Sequence, residues 1–407
     1  MSQAAGSAEE SPKGSLKGSV KASTFVYPWD VNGDPEAAAR IAGLGVRQTT
    51  LASAYHSTRA LTPRHPRHRI VTARHAAVLY PPGPRWEGRR LRPYAAGDWA
   101  PGDAYGQAAG SLAEAGLDVH TWVVLAHNSR MGEEFPNTSV VNAYGDRYPW
   151  APCIAQPDTR AYLIDLAVEA AVRPGASGTE LESLGWYGLA HLHAHDKTAG
   201  VALGDAGQYL MSLCFCPSCR DGYTQRGLAP DELAASVRRA LEPVWRGEAP
   251  TGAWEAVEKL LGAELATATR AWRDSVARSL QTETVAAVRA AAPDGFQILL
   301  HADPASYHVG ANVGVDPAHI LSVADGVVVP CAGGPELLTP FAEQAVERSV
   351  LAANFPVVSG MGGSPGTLAE DVARAVERGA TEVRLYHAGL ASDEDLSLVA
   401  EALARLG

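Results

Sequence analysis

Short runs of β-branched and aromatic residues alternate with alanine-rich helical runs along almost the whole chain of 407 residues. Alternation of this kind predicts a parallel sheet covered by helices. Eight such β-then-α units occur, and the last helix closes the chain. The pattern therefore predicts a single α/β domain, a (β/α)₈ TIM barrel. An open, doubly wound sheet is the alternative, and the lack of a G-x-G-x-x-G motif after the first strand disfavours it.

The predicted barrel occupies residues 23–407, behind an N-terminal tail over residues 1–22. The eight predicted strands are 23–30, 46–55, 118–126, 179–183, 296–301, 325–330, 355–359 and 382–386. The predicted helices are 35–44, 103–115, 157–172, 335–351, 367–378 and 393–406, with two or three further pieces between 230 and 292. Long insertions follow strands two, three and four, including an Arg-rich insertion (59–100) and a His- and Cys-rich loop (184–230).

The composition of the chain indicates its cellular compartment and excludes some classes of binding partner. The tail is mostly Ser, Gly, Ala, Lys and Glu and has no apolar run, so we expect a disordered segment rather than a signal peptide. With five Cys in the chain, reduced thiols in the cytoplasm are the expectation. No apolar stretch is long enough to span a membrane. A formal net charge of −11 argues against nucleic-acid binding, which depends on neutralising phosphates.

In a barrel of this type, function lies at the carboxyl ends of the strands. Glu182 ends the fourth predicted strand and is the first candidate for a catalytic carboxyl group. Asp303, after the fifth strand, is its natural partner, and Asp30 is a third candidate. The remaining candidates could contact a polyol substrate through ring stacking or hydrogen bonds. They are Trp29, Tyr55, His56, His127, Asn128, Trp186, His301 and His387.

Three histidines stand at alternate positions after the fourth strand: His191, His193 and His195. In an extended segment all three would point the same way. They could bind a metal ion, contact sugar hydroxyl groups as part of the substrate-binding site, or belong to a solvated loop.

A cysteine cluster gives the most specific metal signal. Cys214, Cys216 and Cys219 form a C-x-C-x-x-C motif, and a structural zinc ion takes four such ligands in a closed tetrahedral site. Cys153 is the best fourth ligand. Cys331 is the second choice, and the histidine cluster could also supply one. The sequence thus predicts a structural zinc ion that holds a long loop in place.

This motif, with a distant upstream cysteine on a loop of a (β/α)₈ barrel, resembles the zinc site of the family 42 β-galactosidases and of barrels described as hypothetical glycoside hydrolases. The resemblance is local. It implies a glycoside hydrolase in which Cys153, Cys214, Cys216 and Cys219 bind zinc. Those galactosidases carry Asn-Glu at the end of strand four and Glu at the end of strand seven. Here strand four offers Leu181-Glu182, and the predicted strand seven offers no carboxylate, which weakens the case for a retaining mechanism of that layout.

The Arg-rich insertion contains nine Arg between positions 59 and 92 and a single acid, Glu87. Arginine binds carboxylate and phosphate groups in bidentate fashion. If the insertion folds over the barrel mouth, an anionic sugar is a candidate substrate. A subunit interface, as in a homo-oligomer, and a salt-bridged surface are the alternatives.

Together these features favour a carbohydrate-active hydrolase that cleaves a glycosidic bond in a small-molecule carbohydrate with paired carboxyl groups. One alternative is a metal- or His-dependent lyase or isomerase acting on a sugar or sugar acid. That alternative requires a second metal ion with an open coordination position. A catalytically inert glycan-binding barrel is the other, and it requires Glu182 to be salt-bridged away from any cavity.

Overall fold

The computed structural model describes residues 20–190 and 196–407. Residues 1–19 of the expected tail and the three clustered histidines, His191, His193 and His195, lie outside the described residues. The strands are β1 (Lys21–Val26), β2 (Gln48–Tyr55), β3 (Thr58–Leu61), β4 (Ile70–Ala73), β5 (Ala77–Val78), β6 (Asp118–Val124), β7 (Ser139–Val141), β8 (Arg147–Pro152), β9 (Gly178–Glu182), β10 (Gln297–Asp303), β11 (Val313–Gly314), β12 (Gly326–Pro330), β13 (Val350–Pro356) and β14 (Glu382–Tyr386).

The helices are α1 (Pro28–Val31), α2 (Ala37–Ala42), α3 (Ala104–Glu114), α4 (Ser129–Glu134), α5 (Pro157–Ala171), α6 (Gly204–Met211), α7 (Pro217–Thr224), α8 (Pro230–Trp245), α9 (Trp254–Leu261), α10 (Ala263–Ala291), α11 (Pro317–Val323), α12 (Thr339–Ala342), α13 (Leu368–Glu377) and α14 (Asp393–Leu406). Short 3₁₀ turns cover Pro84–Trp86, Pro136–Thr138, Thr198–Gly200, Glu336–Leu338, Ser359–Met361 and Pro365–Thr367. None of the helices in the described ranges has the length and apolar character to cross a lipid bilayer.

Eight parallel strands close into a barrel, which confirms the predicted (β/α)₈ fold. The strands pair in the order β1, β2, β6, β9, β10, β12, β13 and β14, and β14 pairs again with β1. Helices separate the strands along the chain, as parallel pairing requires. The carboxyl ends of all eight strands therefore open at the same face of the barrel.

The barrel interior contains a buried ion-pair network as well as apolar side chains. Arg384 donates to Glu180 at 2.5 Å and to Glu382 at 2.8 Å, and Thr50 also donates to Glu180, at 3.1 Å. Burial would raise the pKa of the Glu180 carboxyl group. The charge of Arg384 and the contact with His301 outweigh burial and lower this pKa to about 2. Paired charges therefore stabilise the interior of the barrel, and the carboxyl ends of the strands lie beyond this network.

Most predicted strands are correct to within three residues at each end, but two boundaries affect the site. The first strand ends at Val26, because Pro28 begins α1 immediately afterwards. Trp29 and Asp30 therefore lie on a short helix rather than on a strand end. The seventh strand is β13 (Val350–Pro356), whereas the sequence predicted a helix up to residue 351 and a strand over 355–359.

The insertion after β2 folds into the β3–β4 hairpin, β5 and an extended segment that packs on α5. Glu169 of α5 accepts hydrogen bonds from the backbone of Gly83 at 2.8 Å and from the indole of Trp86 at 2.6 Å. Arg85 and Arg89 both pair with Asp165 of the same helix. Much of the basic charge of the insertion is thus used in ion pairs on the outside of the barrel.

Candidate active site

A two-part cleft opens at the carboxyl ends of the barrel strands. We call its parts the front half and the rear half, with volumes of about 770 Å³ and 830 Å³. The two halves adjoin, since four residues line both: His56, Ala311, Asn312 and Pro330. The volumes are in the range of small-molecule sites.

Glu182 lies in the front half, at the last position of β9. Its side chain is held by the indole of Trp122, which donates to Oε2 at 2.7 Å. The residue is only 8 % exposed. A carboxyl group that is oriented by one fixed donor, shielded from bulk water and open to a cleft can exchange a proton with a bound substrate.

Three tyrosines form the aromatic floor beside Glu182. Tyr27 donates to the hydroxyl oxygen of Tyr55 at 3.0 Å. Burial raises the pKa of Tyr27, Tyr55 and Tyr386, and the nearby charge of Glu182 contributes to the increase at Tyr55 and Tyr386. These phenols therefore stay neutral at physiological pH and can donate hydrogen bonds to a substrate.

His301 lies on β10, beside Glu182. The register pairs Leu300 with Leu181, so that His301 comes level with Glu182 on the neighbouring strand. His301 Nε2 lies 3.5 Å from Oε2 of the buried Glu180, and the ring also lines the front half of the cleft. The interior ion-pair network thus orients a polar group of the site.

Asp303 lies two residues further along β10 and lines the rear half. His308 bridges two acids there, with Nδ1 3.0 Å from Asp303 and Nε2 3.6 Å from Asp205. Burial would lower the pKa of His308, but the hydrogen bond and charge of Asp303, with the charge of Asp205, raise it above its usual range. Asp303 therefore favours the protonated form of the neighbouring His308 imidazole.

The structure gathers some of the predicted site residues around the cleft. The predicted residues that line the front or rear half are Glu182, Asp303, Tyr55, His56, His127 and His301. His127 stacks on Tyr187, with ring centroids 4.2 Å apart and planes 3° from parallel. His56 lies at the junction of the two halves. A stacked platform and imidazole groups of this kind suit a sugar ring.

Asp30 and His387 lie outside the cleft lining, contrary to the expectation from sequence. The α1 turn buries Asp30 behind Tyr27, whose backbone N–H donates to its carboxyl group at 2.8 Å. His387 Nδ1 is 4.0 Å from the same carboxyl oxygen, and the His387 ring is fully buried. Burial raises the pKa of Asp30 to about 7 and lowers that of His387 to about 3.

Three other predicted contacts also face away from the cleft. Trp29 is buried in α1 and stacks on Tyr27. Asn128 caps α4 by accepting from the backbone of Met131 at 3.0 Å. Trp186 turns toward α10, where its indole donates to the backbone carbonyl of Arg273 at 3.0 Å. In each case packing or capping determines the position of a side chain that sequence reasoning assigned to substrate.

Several cleft residues were missed from the sequence. Trp122 stands on the inner face of β6, paired in register with Glu180. The period-two alternation of a strand could have placed it in the barrel interior. Asn312 and Asn354 had no comparable signal, because the first lies in a loop and the second falls in a strand whose boundary was misplaced.

The four predicted cysteine ligands come together. The sulfur atoms of Cys153, Cys214, Cys216 and Cys219 lie within 4.8 Å of one another and are buried. Cys153 Sγ is 3.6 Å from the sulfur atoms of both Cys216 and Cys219, far beyond the S–S bond length of about 2.05 Å. Cys331 lies elsewhere and donates to the carbonyl of Val329. The spacing matches the S–S separation of about 3.8 Å that follows from tetrahedral zinc with Zn–S bonds of about 2.3 Å.

The surroundings of the cluster also fit a metal-bound thiolate. The backbone N–H groups of Val141 and Cys216 both point at Cys214 Sγ, at 3.4 Å. Hydrogen bonds from the neighbouring thiols lower the pKa of Cys216, and the same contacts raise the pKa of Cys153 and Cys219, so that Cys216 is the thiol that ionises first. Such donors stabilise negative charge on sulfur, so the four residues can hold a soft cation such as zinc.

One arginine of the Arg-rich insertion lines the front half of the cleft. Arg59 stands on β3 and is exposed there. Its guanidinium makes no ion pair within 4 Å among the residues that the structure describes. Arg59 is thus placed where it could meet a bound anion.

Comparison with known proteins finds solved structures of the same fold. No family model matches the sequence, and no curated protein matches it either. Among solved structures, a β-galactosidase from Bacillus circulans sp. alkalophilus matches with a TM-score of 0.57 and 12 % identity over 95 % of this chain and 56 % of that one. α-L-Fucosidase isoenzyme 2 from Paenibacillus thiaminolyticus gives 0.56 and 11 % identity over 95 % and 48 %.

The catalytic domain of a β-amylase from Paenibacillus polymyxa gives a TM-score of 0.55 and 12 % identity, covering 95 % of this chain and 98 % of that one. The chain thus spans about half of the fucosidase and the galactosidase and nearly all of the β-amylase domain. Likeness at this level of identity establishes the fold. The protein is a (β/α)₈ barrel with a carboxylate-bearing cleft at the carboxyl ends of its strands.

Proposed function

We propose that the protein is a glycoside hydrolase in which Glu182 exchanges a proton with the glycosidic oxygen. One observation carries this proposal. Glu182 ends the fourth barrel strand, faces a cleft of about 770 Å³ and is oriented by the Trp122 indole at 2.7 Å. An inert barrel would be expected to tie this carboxylate to a cation away from any cavity. The position of Glu182 therefore favours an enzyme over a binding module.

Asp303 is the proposed second carboxyl group. Hydrolysis of a glycosidic bond needs one carboxyl group that donates a proton to the leaving oxygen and another that acts as base or nucleophile. Asp303 comes from the strand next to that of Glu182, and the two halves of the cleft adjoin. The contact with His308, whose Nδ1 lies 3.0 Å from Asp303, restrains this carboxyl group. The proposed role of Asp303 is thus supported by its place on the neighbouring strand and by its carboxyl group.

A small-molecule sugar with an anionic substituent is the proposed substrate class. Arg59 supplies a fork of N–H donors at the cleft wall that fits a carboxylate or a sulfate in two-point contact. Tyr55 and Tyr386 offer neutral donors for hydroxyl groups. His127 and Tyr187 offer a stacking face in the rear half.

We propose a structural zinc ion for the cysteine cluster. Four cysteine sulfurs complete a tetrahedral shell and leave no open position for water activation. The ion would fasten the segment after β8, which carries Cys153, to the segment between α6 and α7. Among the described residues the four cysteines form the one group of potential metal ligands. A metal-dependent lyase therefore has no specific support there.

Replacing Glu182 with Gln tests the proposed hydrolase. The substitution keeps the shape and removes the exchangeable proton. We expect the kcat for a nitrophenyl glycoside cleaved by the wild type to fall by about 100- to 10,000-fold. Glu347→Gln, on the exposed surface, is the matched control and should leave turnover unchanged. Undiminished turnover by Glu182→Gln, with normal thermal unfolding of both variants, would contradict the assignment.

A further inference from the structure

Apolar side chains form one rim of the front half of the cleft. Leu61 is 61 % exposed and Met361 is 56 % exposed, and both line the same cavity as Glu182. We call this surface the apolar rim. It consists of Leu61, Pro63, Val358, Met361 and Leu390. Exposed large apolar side chains are uncommon in the described part of the chain. Two of them at the mouth of one cleft therefore indicate a binding surface for an apolar group.

The hairpin that presents Leu61 is firmly anchored. Leu61 pairs with Ile70 across the β3–β4 hairpin. Arg64, three residues beyond β3, donates to the carbonyl of Ala388 at 2.5 Å and also to that of Ala391. These bonds connect the hairpin to the loop after β14. The position of Leu61 at the rim is therefore fixed by strand pairing and by the hydrogen bonds of Arg64.

The turn that presents Met361 is fixed as well. Asp395 accepts from the hydroxyl of Ser359 at 2.5 Å and from its backbone N–H at 3.3 Å. The same carboxylate caps α14 by accepting from the backbone of Ser392 at 3.2 Å. The Asp395 carboxylate thus has a structural role: it connects the 3₁₀ turn to the start of α14.

The lining of the front half also includes polar side chains, among them Glu182, His301 and Asn312. We infer that the substrate of the proposed hydrolase is a glycoside of an apolar alcohol. Its sugar ring contacts the polar side chains of the lining and its aglycone contacts the apolar rim. This inference rests on the proposed function and extends it to the leaving group. A cavity of about 770 Å³ accommodates one sugar ring and one aryl group.

The apolar rim is continuous with the proposed catalytic site, and this favours part of the substrate as the group that the rim contacts. The rim residues line the same cavity as the proposed acid, so a leaving group attached to the cleaved bond meets them directly. A second copy of the chain is the competing occupant of Leu61, Ile70 and Met361. Light scattering of the wild type and of the rim variants distinguishes the two. A dimer that dissociates in the rim variants would overturn the inference.

Binding of free methylumbelliferone, a fluorescent aryl alcohol, tests the rim without knowledge of the sugar. We expect saturable binding to the full-length wild type, weakened about fivefold or more in Leu61→Ser and in Met361→Ser. Val346→Ser is the control, because Val346 is 58 % exposed but lies outside the cleft lining. Absence of saturable binding, or equal affinity in the rim variants and the control, overturns the inference.

A panel of methylumbelliferyl glycosides separates this inference from the proposed function. If no glycoside is cleaved while the free aryl alcohol still binds through Leu61 and Met361, the hydrolase assignment fails and the apolar subsite stands. If glycosides are cleaved but kcat/KM is unaffected by Leu61→Ser and Met361→Ser, the subsite fails and the hydrolase stands.

Discussion

Trp122 and Glu182 make the contact on which the proposed chemistry depends most directly. A carboxyl group on a strand end can rotate, and rotation moves its oxygens away from the scissile bond. The indole N–H at 2.7 Å fixes one oxygen and leaves the other for substrate. Phe25 packs edge-on against the Trp122 ring at 4.8 Å, which in turn restrains the donor.

Trp122→Phe should remove this donor and keep most of the packing. We expect kcat to fall by about 10- to 100-fold, because a hydrogen bond to a charged group is worth about 1.5–3 kcal/mol. Steady-state kinetics on a confirmed glycoside would measure the change. Trp245→Phe, which removes an exposed indole hydrogen-bonded to Tyr144, is the control. Equal kcat in the two variants would show that the Trp122 contact does not position Glu182.

Sequence reasoning at the level of single residues succeeded where the backbone alone sets the position. Glu182 and His301 were predicted to lie at the site because each ends a predicted strand, and both line the cleft. It was less successful where tertiary packing selects the rotamer. Trp186 follows Glu182 closely in sequence yet turns away to bond with α10. No local pattern distinguishes an aromatic ring that faces a ligand from one that faces a neighbouring helix.

Among the elements, the cysteine cluster connects two loops that are far apart in sequence. Cys153 follows β8, and the other three cysteines stand around the start of α7, where Pro217 occupies the first helical position. The packing of Cys216 and Cys219 against Cys153 brings the two segments together. The proposed metal would thus stabilise the loop that continues from β9, beyond Glu182.

Cys216→Ser should abolish metal binding at this cluster. We expect bound zinc to fall from about one ion per chain to near zero, because a structural site needs all four ligands. The midpoint of thermal unfolding should fall in parallel, since metal binding contributes to folding. Elemental analysis of the purified variants measures the first effect. Cys331→Ser, a buried thiol outside the cluster, should keep its zinc, and full zinc content in Cys216→Ser would refute the site.

The prediction of elements from sequence was weakest at the seventh strand. β13 begins with Val-Leu-Ala-Ala, and alanine favours helix in isolation. The sequence predicted a helix up to residue 351, which includes the first two residues of this strand. In the barrel, pairing of β13 with β12 and β14 overrides this preference. As a result the strand ends at Pro356, and Asn354 and Pro356 line the cleft at the position predicted for Ser359.

Across the whole molecule, the protonation of buried groups should make stability depend on pH. Burial lowers the pKa of His120 and His387 to about 3, so both are neutral in the fold near pH 5. Asp30, raised to about 7, holds a proton there. His387 lies 4.0 Å from Asp30. Whichever of the two carries the proton, this pair binds one proton in total.

The sign of the pH effect follows from counting protons on His120, His387 and Asp30. Near pH 5 the unfolded chain protonates both histidines and ionises Asp30, so it binds two protons where the fold binds one. Stability therefore falls as pH decreases, by about 1.4 kcal/mol per pH unit from these three groups. The depressed histidine pKa values cause the loss, and the raised pKa of Asp30 partly offsets it.

Two variants should change this slope in opposite directions. His120→Gln removes one proton from the unfolded count, so we expect the slope of the free energy of unfolding against pH to be smaller than in the wild type by about 1.4 kcal/mol per pH unit between pH 6.0 and 4.5. Asp30→Asn removes the proton of the folded state and should steepen the slope by about 1.4 kcal/mol per pH unit. Urea unfolding at several pH values measures both. Parallel slopes in the wild type and both variants would mean that the protons bound on unfolding go to other groups, because this count requires the slopes to diverge whatever the absolute stabilities are.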